Sequence, residues 1–475
     1  MNNDEFRSTA HEFVDWIADF LENIERYPVL AKTKPGEIKD QLPGNPPLEG
    51  EDMKTIFSDF EKIILPGITH WQHPSFFAYF PANSSQPSLL AEMLTAAVGA
   101  QCMAWQTSPA ATELEEIVME WLRNMLGLPG DFTGVIQDTA STSTLSALIT
   151  AREKTTGFSV NEDGFYQSSG SQRLAVYTSN EAHSSIEKGA KIAGFGKKYI
   201  RLIPVDDDFK MIPAKLEEAI RNDLDNGITP CCVVAAIGTT SSLAIDPLRK
   251  IGEICRSYNI WLHVDAAMAG TAAILPEKRW ILDGIENADS FVFNPHKWMF
   301  TNFDCSAYFC KDPKHLINTF SINPEYLKTD ADMKVKNLRD WGIPLGRRFR
   351  ALKLWFVIRS YGVAGLQKVV REHIRLAEEF AKWVEKDGRF ELTAPQSLNL
   401  VCFRFNPKIM KMDEAALEGI NKALMEELNG GGKLFLSHTK LGGKFTLRMS
   451  IGQTSTAYKH VENAWNLIKN ANAIS

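Results

Sequence analysis

Apolar residues recur at helical spacing from the start of the chain. Phe6, Ala10, Phe13, Val14, Ile17, Phe20, Leu21 and Ile24 form one stripe, which predicts an amphipathic helix. The following stretch, Lys34-Pro35-Gly36 through Leu42-Pro43-Gly44-Asn45-Pro46-Pro47, is rich in turn formers and cannot continue it. A second helical pattern runs from about Met53 to Leu65. Two helices are too thin to enclose a core, so their apolar stripe calls for a cover, either another subunit or the main body of the chain.

Between about 130 and 310, short β-branched runs alternate with helical patterns. The runs are Leu174-Ala175-Val176-Tyr177, Cys232-Val233-Val234-Ala235-Ala236-Ile237, Ile260-Trp261-Leu262-His263-Val264 and Ser290-Phe291-Val292-Phe293. The alternation predicts an α/β architecture, a mainly parallel sheet covered by helices. Asp246-Pro247 reads as an N-cap and a first-turn proline before a helix from Leu248 to Tyr258, and Asn226-Gly227 ends a helix begun near Pro213. After Gly346 a long helical pattern runs through Tyr361-Gly362, followed by others from Leu366 to Lys386 and from Glu414 to Leu428. Strand-like Leu398 to Phe405 and Phe445 to Ser450, then a helix from Tyr458, complete a small α+β C-terminal domain. Gly430-Gly431-Gly432 reads as a turn.

The 475 residues, 44% hydrophobic and 23% charged, suit a soluble protein with one large domain and smaller appendages. With 52 basic and 58 acidic side chains the formal net charge is -6, which gives no attraction to nucleic acid or to an anionic membrane. The polar, acidic start and the absence of a long apolar run predict a cytoplasmic protein. Seven cysteines without a CxxC pair read as reduced core residues rather than disulfides or zinc ligands, and no metal site is expected.

The chemistry concentrates at strand ends. Asp265 terminates the run ending at Val264, and Lys297 stands in Asn294-Pro295-His296-Lys297-Trp298 after the run ending at Phe293. Alone, such an aspartate reads as a turn cap and such a lysine as a solvated strand end. Together they suit pyridoxal 5'-phosphate (PLP), which needs an amine for its aldehyde and an anion to keep its pyridine nitrogen protonated. Thr139-Ala140-Ser141-Thr142-Ser143-Thr144 stands before a helical pattern, where exposed amides and hydroxyls can cradle a phosphate. Gly238-Thr239-Thr240-Ser241-Ser242 is either a second source of hydroxyls or a plain turn. His183, in Ala182-His183-Ser184-Ser185, is placed to stack on a ring, although a lone histidine is more often structural.

With Pro66-Gly67-Ile68-Thr69-His70-Trp71, Phe76-Phe77-Ala78-Tyr79-Phe80-Pro81, Ser108-Pro109-Ala110-Ala111-Thr112-Glu113-Leu114-Glu115 and Ile343-Pro344-Leu345-Gly346-Arg347-Arg348-Phe349-Arg350, the chain resembles the group II PLP-dependent amino-acid decarboxylases over nearly its whole length, in particular the aromatic L-amino-acid decarboxylases. The resemblance implies the PLP-dependent transferase fold type I and a homodimer with active sites at the subunit interface. It implies an N-terminal helical dimerisation segment (1–79), a large PLP-binding domain (80–349) with a mobile catalytic loop at about 321–338, and a small C-terminal domain (350–475).

By the same resemblance, Lys297 binds the cofactor covalently, Asp265 pairs with its pyridinium nitrogen and His183 stacks on the ring. Ala140, Ser141, Asn294 and His296 are implied phosphate contacts, with Thr240 and Ala267 near the ring. Trp71, Tyr79, Phe80 and Pro81 are implied to shape the substrate side, and Gln101 and Met103 to reach the partner's pocket. Tyr326 matches the family's catalytic tyrosine, where relatives with phenylalanine tend to be aldehyde synthases. Gly346 leaves room for a large ring.

The implied activity is decarboxylation of aromatic L-amino acids such as tryptophan, phenylalanine, tyrosine or DOPA to amines and carbon dioxide. The alternatives are an aldehyde synthase on the same scaffold, or a decarboxylase of a non-aromatic amino acid such as histidine. Met268, Met103 and Asp138, the last in place of a glycine, depart from the family pattern and leave the substrate open.

Overall fold

A computed structural model describes residues 1–165, 173–322, 335–409 and 411–474. The chain divides into two compact units, one of residues 1–81, 379–393 and 402–475 and the other of residues 82–378 and 394–401.

The second unit is built on a seven-stranded sheet. Its strands are β1 (Thr133–Gln137), β2 (Arg173–Ser179), β3 (Ile200–Ile203), β4 (Ile228–Ala236), β5 (Trp261–Asp265), β6 (Ser290–Phe293) and β7 (Ser306–Cys310), in the order β1-β7-β6-β5-β4-β2-β3. The pairs β2/β3, β2/β4, β4/β5 and β5/β6 are parallel, and β7 runs antiparallel to both β6 and β1. Two reversals restore direction, so β1 ends at the same edge as β2, β4, β5 and β6. Apolar runs such as Cys231 to Ile237 are buried along their whole length, as befits strands covered on both faces. The helix Ala140–Thr156 packs across the sheet, and its Leu148 and Ala151 share a core cluster with Val176, Cys232, Val234 and Trp261.

The helix Leu248–Ser257 forms as expected, but Asp246 does not cap it. Its buried carboxylate turns inward, accepting from the backbone N–H of Met211 at 2.8 Å and of Ala236 at 2.7 Å. Two backbone donors, one at the end of β4 and one just before the helix Pro213–Asp225, outcompete the helix terminus for the same group. Burial pushes the Asp246 carboxyl up to about 6.

Gly362 interrupts the helical span Arg350–Lys386 with φ 63° and ψ 166°, so two helices meet there. The left-handed φ favours glycine.

In the first unit, Asn2 and Glu5 form a capping box that starts the helix Asn3–Glu22, no residue of which is buried in this chain. Phe13 stacks on Phe57 at 4.6 Å, while Phe6 remains 63% exposed. The second helix is α-helical over Met53–Asp59, widens to a π turn over Phe60–Ile64 and tightens over Leu65–Gly67. A four-stranded sheet follows in the order β10-β11-β9-β8, from β8 (Phe390–Leu392), β9 (Leu400–Phe405), β10 (Ser437–Leu441) and β11 (Lys444–Ser450). No helix among the described residues is long and apolar enough to cross a membrane.

Candidate active site

The edge where β1, β2, β4, β5 and β6 end is where parallel sheets place ligands, because loops and helix N-termini converge there. Asp265 is the last residue of β5 and is buried. One carboxylate oxygen accepts from the Ala267 N–H at 3.0 Å, which turns the chain across the strand end. The Ala267 carbonyl in turn accepts from the Asn294 N–H at 3.0 Å, tying the exit of β5 to the exit of β6. This bond sets Asp265 to Ala267 beside Asn294 to Lys297. A Cβ on Gly270 would stand 2.6 Å from that of Phe293, so the two exits approach this closely only around a glycine.

Lys297 lies on the short helix Pro295–Trp298 and is partly buried. Desolvation pulls its ammonium below the usual lysine value, with Asp265 opposing, and so favours the neutral amine. Its carbonyl accepts from the Asn83 side-chain amide at 2.6 Å, and the preceding carbonyl, of His296, accepts from the Asn83 N–H at 2.8 Å. Nδ1 of His296 accepts from the Cys305 N–H at 2.9 Å, so Nε2 carries the ring hydrogen. Burial holds this imidazole neutral, down to about 3.

His183 follows β2. Its Nδ1 is fixed by the Ser185 N–H at 3.1 Å and hydroxyl at 2.7 Å. Burial lowers its pKa, while Asp265 raises and Lys297 lowers it, so the imidazole lies within the field of both. Thr240 sits half-buried in the loop 238–244 beyond β4, closed by two N–H donors, Gly238 and Thr239, to the Ala244 carbonyl at 3.0 Å each. Gly238 adopts φ +92°, and a Cβ there would meet that of Ala269 at 2.7 Å.

Beyond β1, Thr139 caps the helix Ala140–Thr156 by accepting from the Thr142 N–H. The first-turn amides of Ala140 and Ser141 have no acceptor within the helix, and the Ser141 side chain is exposed. The Asn294 side chain is buried, and its Oδ1 has no hydrogen-bond partner among the described residues. A neutral-leaning amine, a carboxylate and open helix amides together fit PLP. They supply an attachment point for an aldehyde, an anion for a pyridine nitrogen and donors for a phosphate.

Beneath these residues runs a buried polar chain that single-residue reading of the sequence missed. The Thr144 hydroxyl lies 3.3 Å from Nε2 of His263, whose Nδ1 lies 2.9 Å from the Ser290 hydroxyl. Only the alternation-breaking His263 and Ser290 inside apolar strands signalled it.

Gln101 and Gly346 are neighbours. The Arg347 N–H donates to Oε1 of Gln101 at 2.8 Å, and a Cβ on Gly346 would meet Nε2 of Gln101 at 3.4 Å. The buried Arg347 guanidinium donates to Glu115 at 2.7 Å and to the Ile136 carbonyl at 2.6 Å, which fixes this segment. Met103 is half-buried, with its carbonyl accepting from the Arg339 N–H at 2.8 Å, and Met268 is fully buried.

Trp71, Tyr79, Phe80 and Pro81 belong to the first unit. There Trp71 stacks against Phe76 at 4.4 Å and Tyr79 at 5.9 Å, and the Arg448 guanidinium lies 5.2 Å over the Phe80 ring. Pro81 is buried, while Trp71 and Tyr79 remain exposed. Tyr326 and the stretch 323–334 lie outside the described residues.

Residues 35–406 match the family described as the pyridoxal-dependent decarboxylase conserved domain. The chain is 43% identical to tryptophan decarboxylase 2 of Oryza sativa subsp. japonica, covering 99% of this chain and 95% of the relative. It is 44% identical to a phenylacetaldehyde synthase of Arabidopsis thaliana, covering 99% and 96%. Among solved structures, that of the Oryza sativa enzyme TDC with PLP and tryptamine superposes with a TM-score of 0.95 at 39% identity, covering 99% of this chain and 98% of that one. The chain belongs to the pyridoxal-dependent decarboxylase family, and PLP is its cofactor.

Proposed function

We propose that the protein decarboxylates aromatic L-amino acids, such as tryptophan, phenylalanine, tyrosine or DOPA, to the corresponding amines and carbon dioxide. The observation that carries this reading is the pairing of strand-end Asp265 with the desolvated amine of Lys297, in a chain similar over 99% of its length to a tryptophan decarboxylase.

In this reading Lys297 holds the cofactor's aldehyde end, Asp265 its pyridine nitrogen and His183 one face of its ring. Ala140, Ser141, Asn294 and His296 take the phosphate, and Thr240 and Ala267 flank the ring. Bound PLP supplies an electron sink for the pair released when the bond between Cα and the carboxylate breaks. Asp265 maintains the proton on the pyridine nitrogen that makes the sink effective. Tyr326 delivers a proton to Cα. Gly346 beside Gln101 leaves room for an aromatic side chain, with Met103 on the same side.

The protein acts as a homodimer, with the segment 1–79 as its dimerisation element and residues 80–349 as its cofactor domain. The helix Asn3–Glu22 buries none of its residues in this chain and leaves Phe6 and Val14 exposed, which supports this assembly. The seven cysteines, all reduced and buried, support a cytoplasmic location.

An aldehyde synthase is the second reading, favoured by the 44% identity to phenylacetaldehyde synthase. Incubating the PLP-loaded protein with a panel of amino acids, and quantifying amine, aldehyde and peroxide, separates the two. Equal release of amine and carbon dioxide without peroxide supports decarboxylation. Dominant turnover of histidine, glutamate or an aliphatic amino acid sinks the aromatic assignment.

A further inference from the structure

Asp138 places a carboxylate at the mouth of the helix whose amides face the cofactor's phosphate in the reading above, on which this inference rests. The side chain is half-buried between β1 and that helix. Its Oδ1 accepts from the Thr139 backbone N–H at 2.6 Å and approaches the Thr139 hydroxyl at 3.4 Å. Thr139 is itself the helix N-cap, its hydroxyl accepting from the Thr142 N–H. The carboxylate therefore takes the amide immediately before Ala140 and Ser141, and adds a negative charge at the positive end of a 17-residue helix.

Asp138 also lines a cavity of about 50 Å³ together with Thr142, Gly346, Arg347 and Arg350. Neither arginine is free to cancel the charge in full. Arg347 is committed to Glu115 and the Ile136 carbonyl. Arg350 makes two 3.0 Å bonds to Asp304, although Asp138 also contributes to holding its guanidinium charged.

We infer that Asp138 is a built-in competitor of the cofactor's phosphate, a carboxylate that occupies part of the phosphate cradle and weakens PLP retention, so that the enzyme exchanges its cofactor more readily. The apo helix terminus gains a satisfied amide and a favourable charge. The loaded protein must hold a phosphate beside that same charge. The effect of the carboxylate is confined to the phosphate end of the ligand.

The test compares binding of PLP and of pyridoxal, which lacks the phosphate, to the apo forms of the wild type, Asp138→Asn, Asp138→Ala and Asp138→Glu, by ligand fluorescence and cofactor off-rate. Removing the charge in the Asn and Ala variants should tighten PLP on the order of tenfold, the scale of one charge near a helix terminus, and leave pyridoxal unchanged. Asp138→Glu, which retains the charge, should stay near the wild type. Inorganic phosphate should raise the melting temperature of apo Asp138→Asn more than that of the apo wild type. Equal changes for both ligands, no change, or weaker PLP binding in the Asn variant would each overturn the inference, since a merely structural role affects both ligands alike. Failure of the wild type to bind PLP at all would instead remove the cofactor reading beneath it.

Discussion

Asn83 holds the backbone of Lys297 from a position 214 residues earlier, donating its side-chain amide to the Lys297 carbonyl at 2.6 Å while its own N–H donates to the His296 carbonyl. Two successive carbonyls of the segment that carries the amine are thus fixed by one residue. Neighbouring Ser85 adds a third tie, its hydroxyl donating to the Phe300 carbonyl at 2.7 Å.

Asn83→Ala should therefore loosen the placement of Lys297 without removing its chemistry. The lost side-chain bond costs about 1–2 kcal/mol in stability and a comparable fraction of the transition-state positioning. The expected result is a fall of roughly tenfold in kcat with little change in KM, alongside a lowered Tm. Steady-state kinetics and thermal melting check both. An unchanged kcat with an intact melt would show that the clamp does not position the amine.

The strand ends were legible in the sequence because the runs of β4, β5 and β6 are buried along their length and so read as near-continuous hydrophobic stretches. Asp265 and Lys297 follow those runs directly, and Gly362 marked the break between two helices. What stayed hidden depends on partners distant in the chain. Asp246-Pro247 has the local signature of a cap, yet the carboxylate is claimed by Met211 and Ala236. Asn83, and the Glu115 to Arg347 pair that spans 232 positions, carry no periodic or local signal, because the geometry that unites them exists only once the sheet has formed.

Lys297→Ala should abolish covalent retention of the cofactor. Borohydride reduction of the loaded wild type should fix a pyridoxyl group on the peptide containing Lys297, and the variant should show none by mass spectrometry. Its kcat should fall by roughly 10³-fold or more, as expected when a nucleophile is deleted. A pyridoxyl group on another lysine of the wild type would move the attachment site elsewhere.

Tyr326→Phe should change the product rather than only the rate. Without the phenolic proton for Cα, dioxygen becomes the competing acceptor. With water, it turns the substrate into aldehyde, carbon dioxide, ammonia and hydrogen peroxide. Peroxide and aldehyde should appear in equal amounts while amine falls. Clean amine production at the wild-type rate would remove Tyr326 from the proton-delivering role.

His263 should make the fold sensitive to acid. It is fully buried between Thr144 and Ser290, and burial pulls its pKa from 6.5 to about 4. Because the folded value lies below the unfolded one, the unfolded chain binds the extra proton first as the pH drops. The neutral histidine thus contributes stability that is complete above about 6.5 and is lost progressively as the pH falls towards 4. A shift of this size corresponds to about 3 kcal/mol at most. Urea unfolding of the apo protein from pH 7 to pH 4 should show this slope, and His263→Gln, although less stable at pH 7, should show a flatter one. His296, drawn down to about 3 by burial and by Lys297, should leave a residual acid dependence in the variant. Identical slopes for the two proteins would show that protonation of His263 does not drive acid unfolding.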